Sequence, residues 1–410
     1  MAWTPKRTFE DIRALSIDLQ EQRSPVIDKM LEIQRHYNAD IVIPLPDVKD
    51  EPRMPNLTPQ MMTDVIDNLS MRAATVTPMT FCPSIDPYKD RGKNSKEYAV
   101  DRARIINATY HFSNWRLARR RSLRFTNAYE TTSIWVEPDF KLGMPRLRLR
   151  NPLETYPEPR AADNFEPSEY CAFLTRYSGD YLRTRFPASR AEQGGVISDR
   201  STTQLWDVFE WVDSDQIRYG ILGPVYIEGE HVGERVTERF GGPFMPLTDP
   251  VQNKSGRCLV FTPQAVTLHT IGNRLNRLIE VINWQNKLMA LDILAQEKAV
   301  FPDMYVLGSR TGAQPQLVSG PWQDGRTGIM NLISDAESVG VLNQTPDQRT
   351  SQMYDRLERN FRVSSGAAPQ MSGETHGAAL RTGRALSTMA EISVDPRIQE
   401  LHEIDETWMP

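Results

Sequence analysis

Two helical segments separated by a glycine- and proline-rich stretch constrain this chain more than any other feature. Thr262 and Pro263 supply an N-cap and a first-turn proline, and Leu268, Ile271, Leu275, Leu278, Ile282 and Met289 then recur at helical spacing, which predicts one helix over residues 263 to 297. At 1.5 Å per residue such a helix is roughly 50 Å long. Its other faces carry Arg274, Arg277, Glu280, Asn283, Lys287 and Asp292. That composition suits a helix packed side by side with copies of itself; an ordinary helix with one buried face is the plainer reading. Residues from Phe301 to Thr345 have the composition of a small loop-rich lobe. A second helix, 346 to 363, opens on a capping box with Thr345 as N-cap and Gln348 at N3, and Met353, Leu357 and Phe361 form its expected buried edge. An uncharged loop from Ser364 to Gly373 and a small-residue helix from Glu374 follow.

The chain has 410 residues, enough to bury a substantial core in about two or three structural units. With 39% apolar and 25% charged residues, neither wholesale disorder nor a coiled-coil rod fits. No apolar run approaches the roughly 20 residues that span a bilayer, and the first residues lack the apolar core of a secretory signal. A soluble protein made in a reducing cytoplasm is expected. Cys82, Cys171 and Cys258 are widely separated and indicate neither a disulfide framework nor a closed zinc site. The formal net charge of -5 argues against a protein whose main task is gripping nucleic acid, since duplex DNA carries one negative charge per roughly 1.7 Å of axis. Weak average attraction nevertheless suits a conduit, because a wall that held each phosphate tightly would resist sliding.

Ahead of the long helix, punctuation divides the chain. Thr8 caps a first helix, and Ser24 with Pro25 reads as the start of another, in which Met30, Ile33 and Tyr37 recur. Residues 41 to 57 are proline-rich and form a connecting arm. Thr58 and Pro59 restart a helix whose Met62, Val65, Ile66 and Leu69 make an apolar stripe suited to core packing. A third helix is expected from Ser95 through Tyr98, Ile105, Ile106, Phe112 and Trp115 to Ala128. Near its end, Arg116, Arg120 and Arg124 share one face, open to local ion pairs, to a neighbouring subunit or to DNA phosphates. Residues 131 to 243 turn toward strands, carried by TTSIWVE, RLRLRN, AFLTRY, LWDVFEWV and QIRYGIL, with a short helix near Gly179 to Arg185. The fold class is α+β.

Chemistry is sparse. No phosphate-binding loop ending in Lys-Ser or Lys-Thr occurs, so the chain is not expected to be an ATP-driven motor. His36, His111, His231, His269, His376 and His402 show no metal-ligand spacing, and no GxSxG elbow or SxxK pair suggests an acyl enzyme. Pro138-Asp139 followed by Lys141 matches a fragment of a metal-dependent nuclease site without the converging acidic ligands that such chemistry needs. Asp213 with Asp215, and Glu228 with Glu230, are read as flanking turns. No catalytic residue, metal or cofactor is assigned.

The order of these parts resembles the portal proteins of tailed bacteriophages, in the broad SPP1/HK97-like group and of the kind found in phages of actinobacteria. Residues 37 to 47 and 58 to 76 resemble the family's entry into its wing, and residues 146 to 159 with the β-rich segment continue it. Residues 269 to 308 resemble the first stem helix leading into the clip, 345 to 361 the returning stem, and 364 to 393 the tunnel loop and its following helix. The resemblance implies a wing over 1–261, a first stem helix over 262–298, a clip over 299–344, a second stem helix over 345–363, tunnel loop and helix over 364–393, and a short or incomplete crown over 394–410. It implies a dodecameric homo-oligomeric ring in the virion at the portal vertex, in contact with the major capsid protein and, during assembly, with scaffolding protein. The clip would meet the terminase large subunit and later a head-tail adaptor, with double-stranded DNA passing along the axis and no membrane involved. Leu275, Leu278, Ile282 and Met289 would pack the stem with Met353, Leu357 and Phe361; Ser364, Ser365, Gln370, Met371, Ser372, Glu374, Thr375 and His376 would line the channel. Another ring-forming head-tail connector, or a metal-dependent nuclease centred on Asp139, are the competing readings.

Overall fold

In the computed structural model, the described residues are 3–41, 61–75, 82, 95–139, 143–159, 167–186, 205–224, 245–263, 274–300, 303–309, 316–317, 333–334, 336–342, 348–365 and 401–402. They contain both helices and antiparallel sheets, an α+β arrangement. The chain divides into two units, the first made of Met1–Gln34, Asp64–Asn276 and Glu391–Pro410, the second of Arg35–Thr63 and Arg277–Ala390.

The first unit is built in layers around a six-stranded sheet. Its strands are β3 (Thr155–Pro157), β4 (Tyr170–Ser178), β5 (Leu205–Asp213), β6 (Gln216–Pro224) and β7 (Met245–Pro246) in that order, with β8 (Val251–Gln252) also paired to β6. Both faces are apolar, which is why β4 and β5 read as nearly continuous hydrophobic runs. One set of alternating residues, Ala172, Leu174, Phe209 and Trp211, packs beneath Ile12, Leu19 and Ile27 of helix α1 (Phe9–Tyr37). The opposite set, Phe173, Val208 and Val212, meets Trp135, Val260 and Leu182. Burying side chains of this size contributes about 1.5–3 kcal/mol each relative to exposure.

Trp135 and Val260 belong to a second sheet, three-stranded, with β1 (Ser133–Asp139) between β2 (Met144–Arg150) and β9 (Val260–Phe261). Its far face, Ile134, Val136, Leu147 and Leu149, is covered by Trp115 and Tyr110 from helices α3 (Ser95–Phe112) and α4 (Trp115–Tyr129). Helix α2 (Met61–Thr75) buries Met62, Val65, Ile66 and Leu69 at 4% exposure or less, as the stripe predicted. Asn127 Nδ2 reaches the Ile66 carbonyl of α2 at 3.2 Å. The strands expected between residues 131 and 243 form, and the short helix α5 occupies Gly179–Arg185.

Ahead of residue 262, two helix boundaries differ from the sequence reading. Thr8 does cap α1, accepting the Asp11 N–H at 3.2 Å while Asp11 Oδ2 accepts the Thr8 N–H at 3.0 Å. The helix, however, continues through Pro25 rather than restarting there. Pro25 lacks the N–H that would bond the Glu21 carbonyl, and burial of Leu19 and Ile27 on either side holds the helix together across it. The single helix expected from Ser95 to Ala128 is instead divided at Asn114, whose φ of 50° and ψ of 36° are left-handed. Asparagine tolerates that conformation, and the adjacent Ser113 hydroxyl accepts the Leu147 N–H of β2 at 2.9 Å, a bond the break makes possible.

In the second unit, helix α6 (Arg274–Val300) leads to strand β10 (Asp303–Ser309), which pairs antiparallel with β13 (Ala336–Leu342). The short strands β11 (Gln316–Leu317) and β12 (Ile333–Ser334) pair inside that connection, so one hairpin nests within another. Helix α7 (Gln348–Ser365) follows. The expected loop-rich lobe is therefore organised by strand pairing, which suits the β-branched residues Val306, Val339 and Val341.

Candidate functional site

The candidate site begins with α6, because its sequence bears both apolar and amide side chains on the side that becomes buried. Leu275, Leu278 and Ile282 are buried, at 2%, 9% and 1% exposure, and Met289 is half-buried. Thr262 and Pro263 are not helical, and residues 264–273, with Leu268 and Ile271, lie outside the described residues. Gln285 and Asn286 are also buried, at 0% and 1%, and neither amide has a hydrogen-bond partner. Such atoms cost about 1–3 kcal/mol each when left unpaired. In the second unit, His36 Nε2 lies 3.1 Å from Asn283 Oδ1 and Thr63 Oγ1 donates to the Tyr37 carbonyl at 2.7 Å. The outward side of α6 carries Trp284 and Leu291, 57% and 39% exposed, with the Lys287 ammonium 5.3 Å from the Trp284 ring centroid.

On α7 the apolar edge is covered only toward its end. Phe361 is fully buried and Leu357 half-buried, but Met353 is 51% exposed, against the expectation that all three are buried. The cover fails toward the start of the helix, two turns before Phe361. Ser364 and Ser365, expected to open the tunnel loop, are the last residues of α7, with Ser364 exposed and Ser365 buried. Gln370, Met371, Ser372, Glu374, Thr375 and His376 lie outside the described residues, as do Thr345 to Asp347, Glu228, Glu230, Lys141, residues 42–57 of the arm, residues 394–400 and 403–410 of the expected crown, and residues 318–332 between β11 and β12.

The arginine row on α4 is only partly free. Arg124 Nε sits 3.0 Å from Asp67 Oδ1 of α2, a local ion pair. Arg116 and Arg120 are exposed and have no ion-pair partner among the described residues. Beside them, Tyr98, Ile105 and Phe112 recur every seven residues on α3 at 50%, 55% and 60% exposure, and Leu117 of α4 is 69% exposed. Only Trp115 of the apolar residues expected on this helix is fully covered, at 3%. An apolar stripe left open on a helix face marks a surface that another chain or element covers.

Between the two sheets of the first unit lies a polar layer that the sequence reading missed. The leucines of RLRLR face α3 and α4, while Arg148 and Arg150 face inward and Arg146 is exposed. Arg150 donates to the Glu210 carboxylate and to the Tyr177 hydroxyl at 3.1 Å, and the hydroxyl donates to Glu210 at 3.2 Å. The guanidinium lies 5.1 Å from the Trp135 ring centroid and 4.9 Å from that of Phe173. Glu137 pairs with both Arg148 and Arg185. Burial works against the Arg150 charge, but Glu210 and Tyr177 outweigh it, and its pKa is pushed above the ordinary guanidinium range. Burial, followed by Glu210, raises the Tyr177 and Tyr219 hydroxyls. Glu137 and Glu210 are each matched to arginine, so the arrangement ties the two sheets together.

Asp213 accepts the N–H groups of Asp215 and Gln216 at 2.8 and 2.7 Å, closing the β5–β6 turn as its position in the sequence suggested. Asp139 ends β1, and among the described residues no three His, Cys, Asp or Glu side chains gather as metal ligands. Cys82, Cys171 and Cys258 are free thiols, and burial pushes the Cys171 thiol well up. No described helix is long and apolar enough to cross a membrane. No protein-family model matches this chain, and no curated protein matches it.

Proposed function

We propose that the chain is the ring-forming portal subunit of a tailed bacteriophage, the channel through which double-stranded DNA enters and leaves the capsid. The observation that carries this reading is the order of parts in the second unit: a 27-residue helix, a nested β lobe and an 18-residue return helix. That order suits stem, clip and stem. Exposed apolar residues on α3, α4 and α6 further support a subunit that covers them on neighbours. In this account twelve copies form the ring, the lobe docks the terminase large subunit and then the head-tail adaptor, and the major capsid and scaffolding proteins surround it in the virion. The chain binds and guides; it catalyses nothing and needs no cofactor.

Deleting residues 308 to 344 should abolish binding of the terminase large subunit while leaving oligomerisation intact. Full-strength terminase binding by the deleted chain would rule out the lobe as the docking surface. A head-tail connector of another kind would bind no terminase even with the lobe present, so the same assay separates the two readings.

A further inference from the structure

The first unit holds a cleft of about 690 Å³ lined by three basic side chains, Lys6, Arg7 and Arg257, and three acidic ones, Glu169, Asp213 and Asp215, of which the two aspartates are already tied by hydrogen bonds. Asp213 spends one oxygen on backbone N–H groups and the other on Trp211 Nε1 at 2.9 Å. Asp215 accepts Trp3 Nε1 at 3.1 Å and the Lys6 N–H at 3.0 Å. Those bonds hold its carboxyl below the usual range.

Lys6, Arg7 and Arg257 line the same cleft; Lys6 is attracted to Asp215 and Arg7 to Asp11, while no ion pair joins Arg7 or Arg257 to a carboxylate among the described residues. The Arg7 carbonyl is fixed by Arg218 at 2.9 Å and by Gln216 at 3.2 Å, so its backbone is anchored. Its guanidinium lies 5.0 Å from the centroid of Tyr170 and 5.7 Å from that of Trp211, two rings that stack on each other at 5.3 Å. Arg7 NH1 is buried without a hydrogen-bond partner. On the other side, Arg257 follows a turn in which Gly256 has φ of 67° and Asn253 Nδ2 holds the Arg257 carbonyl at 2.8 Å.

We propose that this cleft docks the carboxylate side chains of an acidic peptide segment on a partner protein. A guanidinium held against aromatic rings still has N–H groups to offer a planar carboxylate, a forked geometry lysine does not reproduce. The volume exceeds what a single small anion needs and matches a site for several side chains. The inference does not depend on the portal reading, because it concerns only the first unit and binding is read without reference to DNA or rings.

The test is fluorescence anisotropy of a labelled peptide of alternating glutamate and alanine, titrated with the intact chain, beside a twin with glutamine in place of glutamate. The acidic peptide should bind, with affinity falling as sodium chloride rises, and the glutamine twin should not. Arg7→Gln together with Arg257→Gln should weaken binding at least about tenfold, Arg7→Lys should weaken it less, and Arg120→Gln on α4 should leave it unchanged. Thermal melts like the wild type's would establish that these variants are folded; if the double variant melts early, the Arg7→Lys comparison decides. Equal binding of the glutamine twin, no effect of the cleft substitutions, or displacement by inorganic phosphate at matched ionic strength would each overturn the proposal.

Discussion

Replacing Glu210 by alanine should be among the most damaging single changes in the first unit. The Arg150 and Glu210 side chains are 8% and 1% exposed, so removal of the carboxylate strands a cation between Trp135 and Phe173. Breaking one partner of a buried pair costs about 3–5 kcal/mol. Tyr177 remains as a neutral partner and Glu137 as a more distant charge, which places the expected loss toward the lower end. Glu210→Gln keeps an acceptor while losing the charge and should cost about 1.5–3 kcal/mol. Replacing both partners, as Arg150→Met with Glu210→Leu, removes the stranded charge and should recover most of the loss. Urea unfolding at neutral pH, followed by tryptophan fluorescence, reads all three, since Trp135 and Trp211 are buried in the cores flanking this layer. A Glu210→Ala loss below about 1 kcal/mol, or a double variant no more stable than the single one, would refute the view that this pair is an enclosed charge system.

Three further outcomes follow from other residues. Gln285→Met removes unpartnered buried polar atoms at nearly constant shape and should raise the stability of the second unit by about 1–3 kcal/mol, read by urea unfolding; a loss would mean the amide is used. Asn114→Gly should be tolerated, whereas Asn114→Val forces a branched residue into left-handed backbone and should cost about 1–2 kcal/mol in thermal melts; equal stability of the two would contradict the account of the α3–α4 break. Asp215 has a lowered pKa from its bonds to the Lys6 N–H and Trp3, so its contribution is complete above the unfolded value of about 3.9 and fades as pH falls through the lower folded value. An acid titration of Trp3 fluorescence should show that transition, and Asp215→Asn should abolish it.

Much of the first unit was legible because its strands carry local signals. TTSIWVE and LWDVFEWV are rich in β-branched and aromatic residues, and the Ser178 hydroxyl caps α5 by accepting the Tyr181 N–H at 3.3 Å, so strands and helix there are encoded without tertiary information. The inward placement of Arg148 and Arg150 is not encoded in the RLRLR alternation, because it depends on pairing with Glu137 and with Glu210 of another strand. Pro25 gave a valid local signal that packing on both sides overrode. Asn114 was the opposite case, a Ser-Asn step inside an apolar pattern whose turn chemistry went unweighed. In the candidate site, Leu275, Leu278, Ile282 and Phe361 followed from spacing, while the exposure of Met353 depends on where the cover on α7 ends, which helical period does not encode.

Cryo-electron microscopy of the purified full-length chain tests the central claim most directly. The account predicts closed rings of identical subunits, with the helices spanning Arg274–Val300 arranged around an open axis and Trp284 and Leu291 covered by neighbours. A population of monomers or closed dimers at high protein concentration, with those side chains still exposed, would contradict it.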